Sequence, residues 1–225
     1  LQLSNTRTDP SFDLRYIAHL KSTSDEVNLQ KVQHNLYDLD IRSEIAIFWQ
    51  DGNLYYSDSA ESATSVRISS GGPKWMHGIF DWIYEEEIYG RDSKVIAVWW
   101  SVKGEKLAFF SREKTNDKSV TMESYSRKSN YPIDIELAYP KTHEKRLPSY
   151  VINIWDKKTR ALKQMDVQLR DSTAFHYAFN VKWIVLGGEE LLVATWANRI
   201  QTQISITICD QSSGMCKLVR EMLQE

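Results

Sequence analysis

The sequence predicts an all-β fold, and among all-β architectures it favours an irregular β-propeller. Three observations carry this expectation. Short apolar runs alternate with turn signals along most of the 225 residues. Amphipathic stripes at helical spacing are scarce. A unit of aromatic residue, turn and apolar strand recurs down the chain.

Taken in order, the segment Ser24 to Leu39 is expected to form a turn or two of helix. Ile45-Ala-Ile-Phe-Trp49, the turn signal Asp51-Gly52-Asn53 and Leu54-Tyr55-Tyr56 predict a hairpin, because Asp-Gly tolerates the positive φ of a tight turn. Strands are then expected at Ser65 to Ile68, Val95 to Trp100 and Leu107 to Phe110. Further strands follow at Tyr150 to Trp155, Asn180 to Trp183, Leu191 to Trp196 and Gln203 to Ile208. The last alternates polar and apolar residues, the period of a half-buried strand. Leu218 to Glu225 is expected to be a short helix.

The recurring unit appears at Trp100-Ser-Val-Lys-Gly-Glu-Lys-Leu-Ala-Phe-Phe110 and at Trp183-Ile-Val-Leu-Gly-Gly-Glu-Glu-Leu-Leu-Val193. A degenerate copy without the glycine runs from Tyr37 to Phe48. Each reads as the first two strands of a propeller blade, with an aromatic side chain filling the space between blades. The copies lie further apart than the roughly 40–45 residues of a regular blade, so insertions or irregular blades are implied. A generic antiparallel sandwich is the alternative.

Composition removes several classes. Lys and Arg number 28 against 30 Asp and Glu, a net charge of −2, so no nucleic-acid footprint is expected. With 26 Phe, Trp and Tyr residues against 9 Gly and 5 Pro, the chain has ample material for a core. Its longest uninterrupted apolar run, Val95 to Trp100, is far short of a membrane helix. The sequence begins at Leu1 without a signal-like segment and is expected to be a piece of something longer. There is no Gly-x-Ser-x-Gly elbow, no His-Glu-x-x-His pattern and no glycine-rich phosphate loop, so no metal or cofactor is expected.

One segment stands out: Gly78-Ile-Phe-Asp81-Trp82-Ile-Tyr84-Glu85-Glu86-Glu87-Ile-Tyr89. Neighbouring residues of a strand point to opposite faces, so strand-borne carboxylates could not converge. On a helical turn two neighbours can aim at one cation, and paired carboxylates repel unless a cation is shared. The segment is therefore either an ammonium receptor or a solvated acidic turn. Cys209 and Cys216 flank a polar turn containing Gly214, and either pair across a hairpin or remain free thiols.

Asp81-Trp-Ile-Tyr-Glu-Glu-Glu87, followed by Trp99-Trp100-Ser101 and Lys103 to Phe109, strongly resembles the N-terminal propeller of the dipeptidyl peptidase IV family. Asn130-Tyr-Pro132, Ala138-Tyr-Pro-Lys141, Val181-Lys-Trp183, Trp196-Ala-Asn-Arg199 and the Cys209 to Cys216 segment continue it in order. The likeness is good from about Gly78 to Cys216 and weaker before Ile45.

The resemblance implies that residues 1–225 form a partial, irregular propeller, about four blades of an eight-bladed ring. The family's catalytic α/β-hydrolase domain, with its Ser-Asp-His triad, is then absent from this chain. The implied activity is removal of Xaa-Pro or Xaa-Ala dipeptides, with Glu86 and Glu87 gripping the substrate's free N-terminal ammonium. Distance from that ammonium measures off the scissile bond. The resemblance also implies a Cys209–Cys216 disulfide and an ectodomain outside a single-pass type II plasma-membrane protein. The implied partners are a peptide N-terminus, the hydrolase domain and, in some assemblies, a second copy. The family's pocket arginine lies upstream of the double Glu, where Arg7 and Arg15 are the candidates. Inactive members that serve potassium channels as accessory subunits keep the triple Glu. A non-enzymatic ectodomain binding such a partner is therefore the alternative, and the short segment between the cysteines is more like that branch.

Overall fold

The computed structural model describes residues 16–20, 27–31, 35–40, 45–50, 52–57, 66–89, 96–125, 130–144, 147, 149–170 and 176–223. Strands β1 (Tyr16–Leu20) and β2 (Val27–Lys31) form an antiparallel hairpin. Next come β3 (Asn35–Asp40), β4 (Ile45–Gln50), β5 (Asn53–Ser57) and β6 (Val66–Arg67), a four-stranded sheet in chain order. The predicted β4–β5 hairpin is present: Gln50 pairs with Asn53, and Gly52 takes φ 75°. A Cβ there would sit 2.5 Å from the Gly72 carbonyl oxygen, so a side chain is excluded on two counts.

The second sheet is built around β9 (Lys106–Glu113). One edge of β9 pairs with β12 (Val151–Asp156), which pairs in turn with β13 (Leu162–Gln164). Its other edge is shared by β8 (Val98–Trp100) and β7 (Trp75–His77). Between β9 and β12 the chain extends into a separate hairpin, β10 (Ser119–Ser124) and β11 (Ile133–Ala138). The third sheet has the order β14 (Asp166–Gln168), β18 (Met215–Leu223), β17 (Gln203–Asp210), β16 (Glu189–Asn198), β15 (His176–Leu186). Only the β14–β18 pair is parallel.

Alternation along β9 explains how these sheets assemble. Leu107 and Phe109 join Ile47, Leu54, Tyr56, Ile68, Val98 and Trp155 in a core against the first sheet. Ala108 and Phe110 point the other way. They join Ile152, Ile154, Ala178, Trp183, Leu192 and Trp196 in a core against the third. The middle sheet thus buries both faces against other sheets. A two-layer sandwich gives each sheet one apolar face; a stack with a doubly covered member is the packing of propeller blades. The recurring sequence unit falls on β3–β4, β8–β9 and β15–β16, an adjacent antiparallel pair in each of these three sheets. The chain is a partial, irregular propeller.

Two expected helices are strands. Within 24–39, β2 pairs with β1 and β3 pairs with β4. Of the expected C-terminal helix, residues 218–223 belong to β18, paired with β17 from Gln203↔Leu223 to Asp210↔Met215, and the last two lie outside the described residues. Neither segment carries a sustained amphipathic stripe that would hold it as a helix, and each lies beside a strand that offers ladder hydrogen bonds. Cys209 and Cys216 are register partners in β17–β18, fully buried, and joined by the expected disulfide.

Candidate functional site

The acidic segment leaves the second sheet just after β7. Gly78 makes the exit: its N–H donates to the Phe110 carbonyl, its own carbonyl accepts from Ala97 N–H, and its φ is 70°. A Cβ at Gly78 would lie 2.7 Å from Val98 Cγ2, so the close approach requires glycine. Phe80 then drops into an aromatic cluster, parallel to Tyr84 at 5.3 Å and edge-on to Trp99, Phe110 and Tyr150.

Asp81 begins the turn. Its Oδ1 accepts from Tyr84 N–H at 3.1 Å, and its own N–H donates to Tyr150 Oη at 2.6 Å. Glu85 N–H donates to the Asp81 carbonyl, an ordinary helical bond. The next turn is wider: Tyr84–Ile88 is π-helical, closed by Tyr89 N–H to the Tyr84 carbonyl. Such single wide turns are rare and concentrate at functional sites. The Tyr84 ring, 2 % exposed, runs to the third sheet, where its hydroxyl accepts from Ala178 N–H at 2.9 Å. Tyr89 Oη donates to the neighbouring Phe179 carbonyl at 3.3 Å. The turn is therefore bolted to two sheets at once. Trp82 is half-buried and packs its ring 4.4 Å from that of Tyr139.

On this seat Glu85 and Glu86 are half-buried and Glu87 is exposed. A widened turn brings successive side chains closer in angle than the roughly 100° step of an α-helix. Neighbouring carboxylates on it can face one ligand. Beneath them, burial pushes the Asp81 carboxyl above its usual range, opposed by the Arg112 guanidinium and by the Tyr84 N–H bond. Burial also pushes the Tyr84 and Tyr150 phenols well up, so both stay neutral hydroxyls.

Arg112, 2 % exposed, lies on β9 below the turn and was not singled out from the sequence. Its Nη1 donates to both Asp117 carboxylate oxygens at 2.7 and 2.8 Å, and its Nε lies 3.8 Å from Asp81 Oδ2. A charged residue two positions after the apolar run of β9 was the available signal.

A second polar group also went unpredicted. His77 Nδ1 lies 2.6 Å from Ser111 Oγ, the spacing of a nucleophile and its base. But Ser111 is 2 % exposed, and its Oγ also accepts from Asn153 Nδ2. His77 Nε2 meets the Ser70 carbonyl, which assigns the neutral tautomer with its proton on Nε2. Burial lowers the His77 pKa to about 4, against a smaller opposing pull from the Ser70 bond. No substrate reaches this pair; it ties β7, β9 and β12 together. Among the described residues, no cluster of His, Cys, Asp and Glu could hold a metal ion. Arg7 and Arg15 lie outside the described residues.

Residues 16–225 match the family model described as the dipeptidyl peptidase IV N-terminal region. Dipeptidyl peptidase family member 1 of Caenorhabditis elegans is 45% identical over 172 residues, covering 76% of this chain and 21% of that protein. Inactive dipeptidyl peptidase 10 of Rattus norvegicus is 30% identical over 227 residues, covering 96% of this chain and 27% of that protein. The crystal structure of Porphyromonas gingivalis dipeptidyl peptidase 4 superposes with a TM-score of 0.67 at 20% identity, over 90% of this chain and 27% of that one. That likeness shows the fold. The chain spans about a fifth to a quarter of the length of these relatives.

Proposed function

We infer the function from one premise: this chain belongs to the dipeptidyl peptidase IV family and represents part of its N-terminal region. We propose that it is the propeller part of a serine exopeptidase. In this reading Glu86 and Glu87 receive the free N-terminal ammonium of a peptide, and an α/β-hydrolase domain outside this chain removes the Xaa-Pro or Xaa-Ala dipeptide. The observation that carries the proposal is the π-helical turn itself, pinned by Asp81, Tyr84 and Tyr89, on which Glu86 and Glu87 are neighbours. Preorganised carboxylates bind an ammonium without first ordering a loop. They also favour substrates with a free amine in the right place, which sets the length cut off. The partners this reading names are peptide N-termini, the hydrolase domain and a second copy of the parent. The buried disulfide supports an extracellular location for the ectodomain, since such bonds persist in oxidising compartments.

The test is hydrolysis of matched peptides by the full-length parent. A free-amine Xaa-Pro peptide should be cleaved and its N-acetylated twin rejected, because acetylation removes the ammonium. Equal cleavage of both would overturn the amine-receptor role. No cleavage of either would favour a second reading, a non-enzymatic ectodomain that binds a partner such as a potassium channel. That reading draws support from the 30% identity to an inactive dipeptidyl peptidase over nearly the whole chain.

A further inference from the structure

The acidic turn stands on a buried ion pair whose geometry is unusual. Arg112 and Asp81 are both almost fully buried, and their facing atoms, Nε and Oδ2, are 3.8 Å apart with no hydrogen-bond partner for either. A buried guanidinium is costly unless its charge is matched, and Asp117 already supplies Arg112 with charge-assisted bonds through Nη1. What the Asp81 contact adds lies on the other side. Asp81 holds the first residue of the π-helical turn through Oδ1, and Glu85, Glu86 and Glu87 follow directly. Burial favours the neutral form of Asp81. A neutral, rotated Asp81 would release the Tyr84 N–H. The fixed charge of Arg112 opposes this by favouring the ionised carboxylate in the orientation that keeps Oδ1 on Tyr84.

We propose that Arg112, acting through Asp81, is a positioning residue for Glu86 and Glu87: its buried charge holds the Asp81 carboxylate as the acceptor that seats the acidic turn. The proposal rests on the amine-receptor reading above for its effect on peptide hydrolysis, but not for its effect on the turn.

The experiment uses the full-length parent and has two readouts, kinetics on a free-amine glycyl-prolyl chromogenic substrate and hydrogen exchange of the 84–89 segment. Asp81→Asn keeps the shape and an acceptor oxygen but removes the charge. It should lower kcat/KM by roughly 10-fold or more, chiefly by raising KM. Arg112→Gln should do the same, and Arg112→Lys, which keeps a cation, should recover most of the loss. Exchange at the Glu85 and Tyr89 amides should quicken by about 10-fold in Asp81→Asn, with the β16–β17 ladder unchanged. The control Arg170→Gln, which removes an exposed arginine paired with Glu221 on the third sheet, should change neither readout. The decisive comparison is a double-mutant cycle. If Asp81 acts through Glu86, then Asp81→Asn added to Glu86→Ala should cost less than about 2-fold. A full, additive loss in that background, or unchanged exchange of the turn, would overturn the proposal. Should the wild-type parent cleave no such substrate, the exchange data decide alone. Quickening confined to 84–89 would then support the positioning role, while the amine-receptor reading would fall.

Discussion

Glu86 and Glu87 bear the proposed recognition, and their neighbour Glu85 is the internal control. Removing one partner of a desolvated, hydrogen-bonded charge pair costs about 2–5 kcal/mol. Glu86→Ala or Glu87→Ala in the parent should therefore cut Xaa-Pro turnover roughly 30-fold to several-thousand-fold, and Glu85→Ala far less. Comparable losses at all three positions would point to a general acidic field rather than a paired receptor. His77 makes a separate prediction about pH. Its pKa in the folded protein is about 4, below its ordinary 6.5, because burial disfavours the imidazolium. Between those values the unfolded chain binds a proton that the folded chain does not. The stability contributed by neutral His77 is thus fully present above pH 6.5 and is lost as pH falls toward 4, by up to roughly 3 kcal/mol. Unfolding midpoints of the parent and of His77→Asn should converge across that window as acid is added. Parallel profiles would show that His77 does not carry this dependence.

The β17–β18 hairpin makes the prediction at the scale of an element. Its disulfide closes a short loop, which gives about 2–3 kcal/mol on the chain-entropy account. β14 pairs in parallel with β18, and Asp166 N–H donates to the Gly214 carbonyl in the turn. Replacing both cysteines by serine should therefore speed exchange in β14 and β18 first and leave β9 untouched; uniform loosening of all three sheets would contradict this. The same element shows what the sequence could reveal. β17 was legible because Gln203 to Ile208 alternates strictly, whereas β18 owes its strand form to a partner that local pattern does not contain. β10 and β11 escaped notice for a related reason. They pair mainly with each other, Met122 facing Ile135 where both are exposed, so no covered face imprints a regular alternation. The acidic turn was legible as a turn, but its π-helical width was not. That width goes with anchors at Ala178 and Phe179, 94 and 90 positions away from the tyrosines that reach them. Likewise Asp81 stood within a recognisable motif, while its partner Arg112 could be found only once β9 was placed beneath it.

For the whole molecule, the governing fact is the unequal covering of the three sheets. The middle sheet has an apolar core on each face, and the third is packed against it on one side. Val219 and Leu223 on β18, with Val185 and Leu186 on β15, are exposed apolar side chains. A propeller supports each blade from both sides, and edge strands or bare apolar faces left by an incomplete ring are templates for association. We expect the isolated 225-residue piece to associate in a concentration-dependent way, measured by size-exclusion chromatography with light scattering, and to become monodisperse when the rest of the propeller is supplied. Within the isolated piece, amides of β9 and β12 should be the most protected, because their strands are covered on both faces, and those of the outer sheets less so. A clean monomer with one sharp unfolding transition and uniform protection would mean that the three sheets close on one another by themselves. The acidic turn would then be held by a self-sufficient domain rather than by one sector of a larger ring.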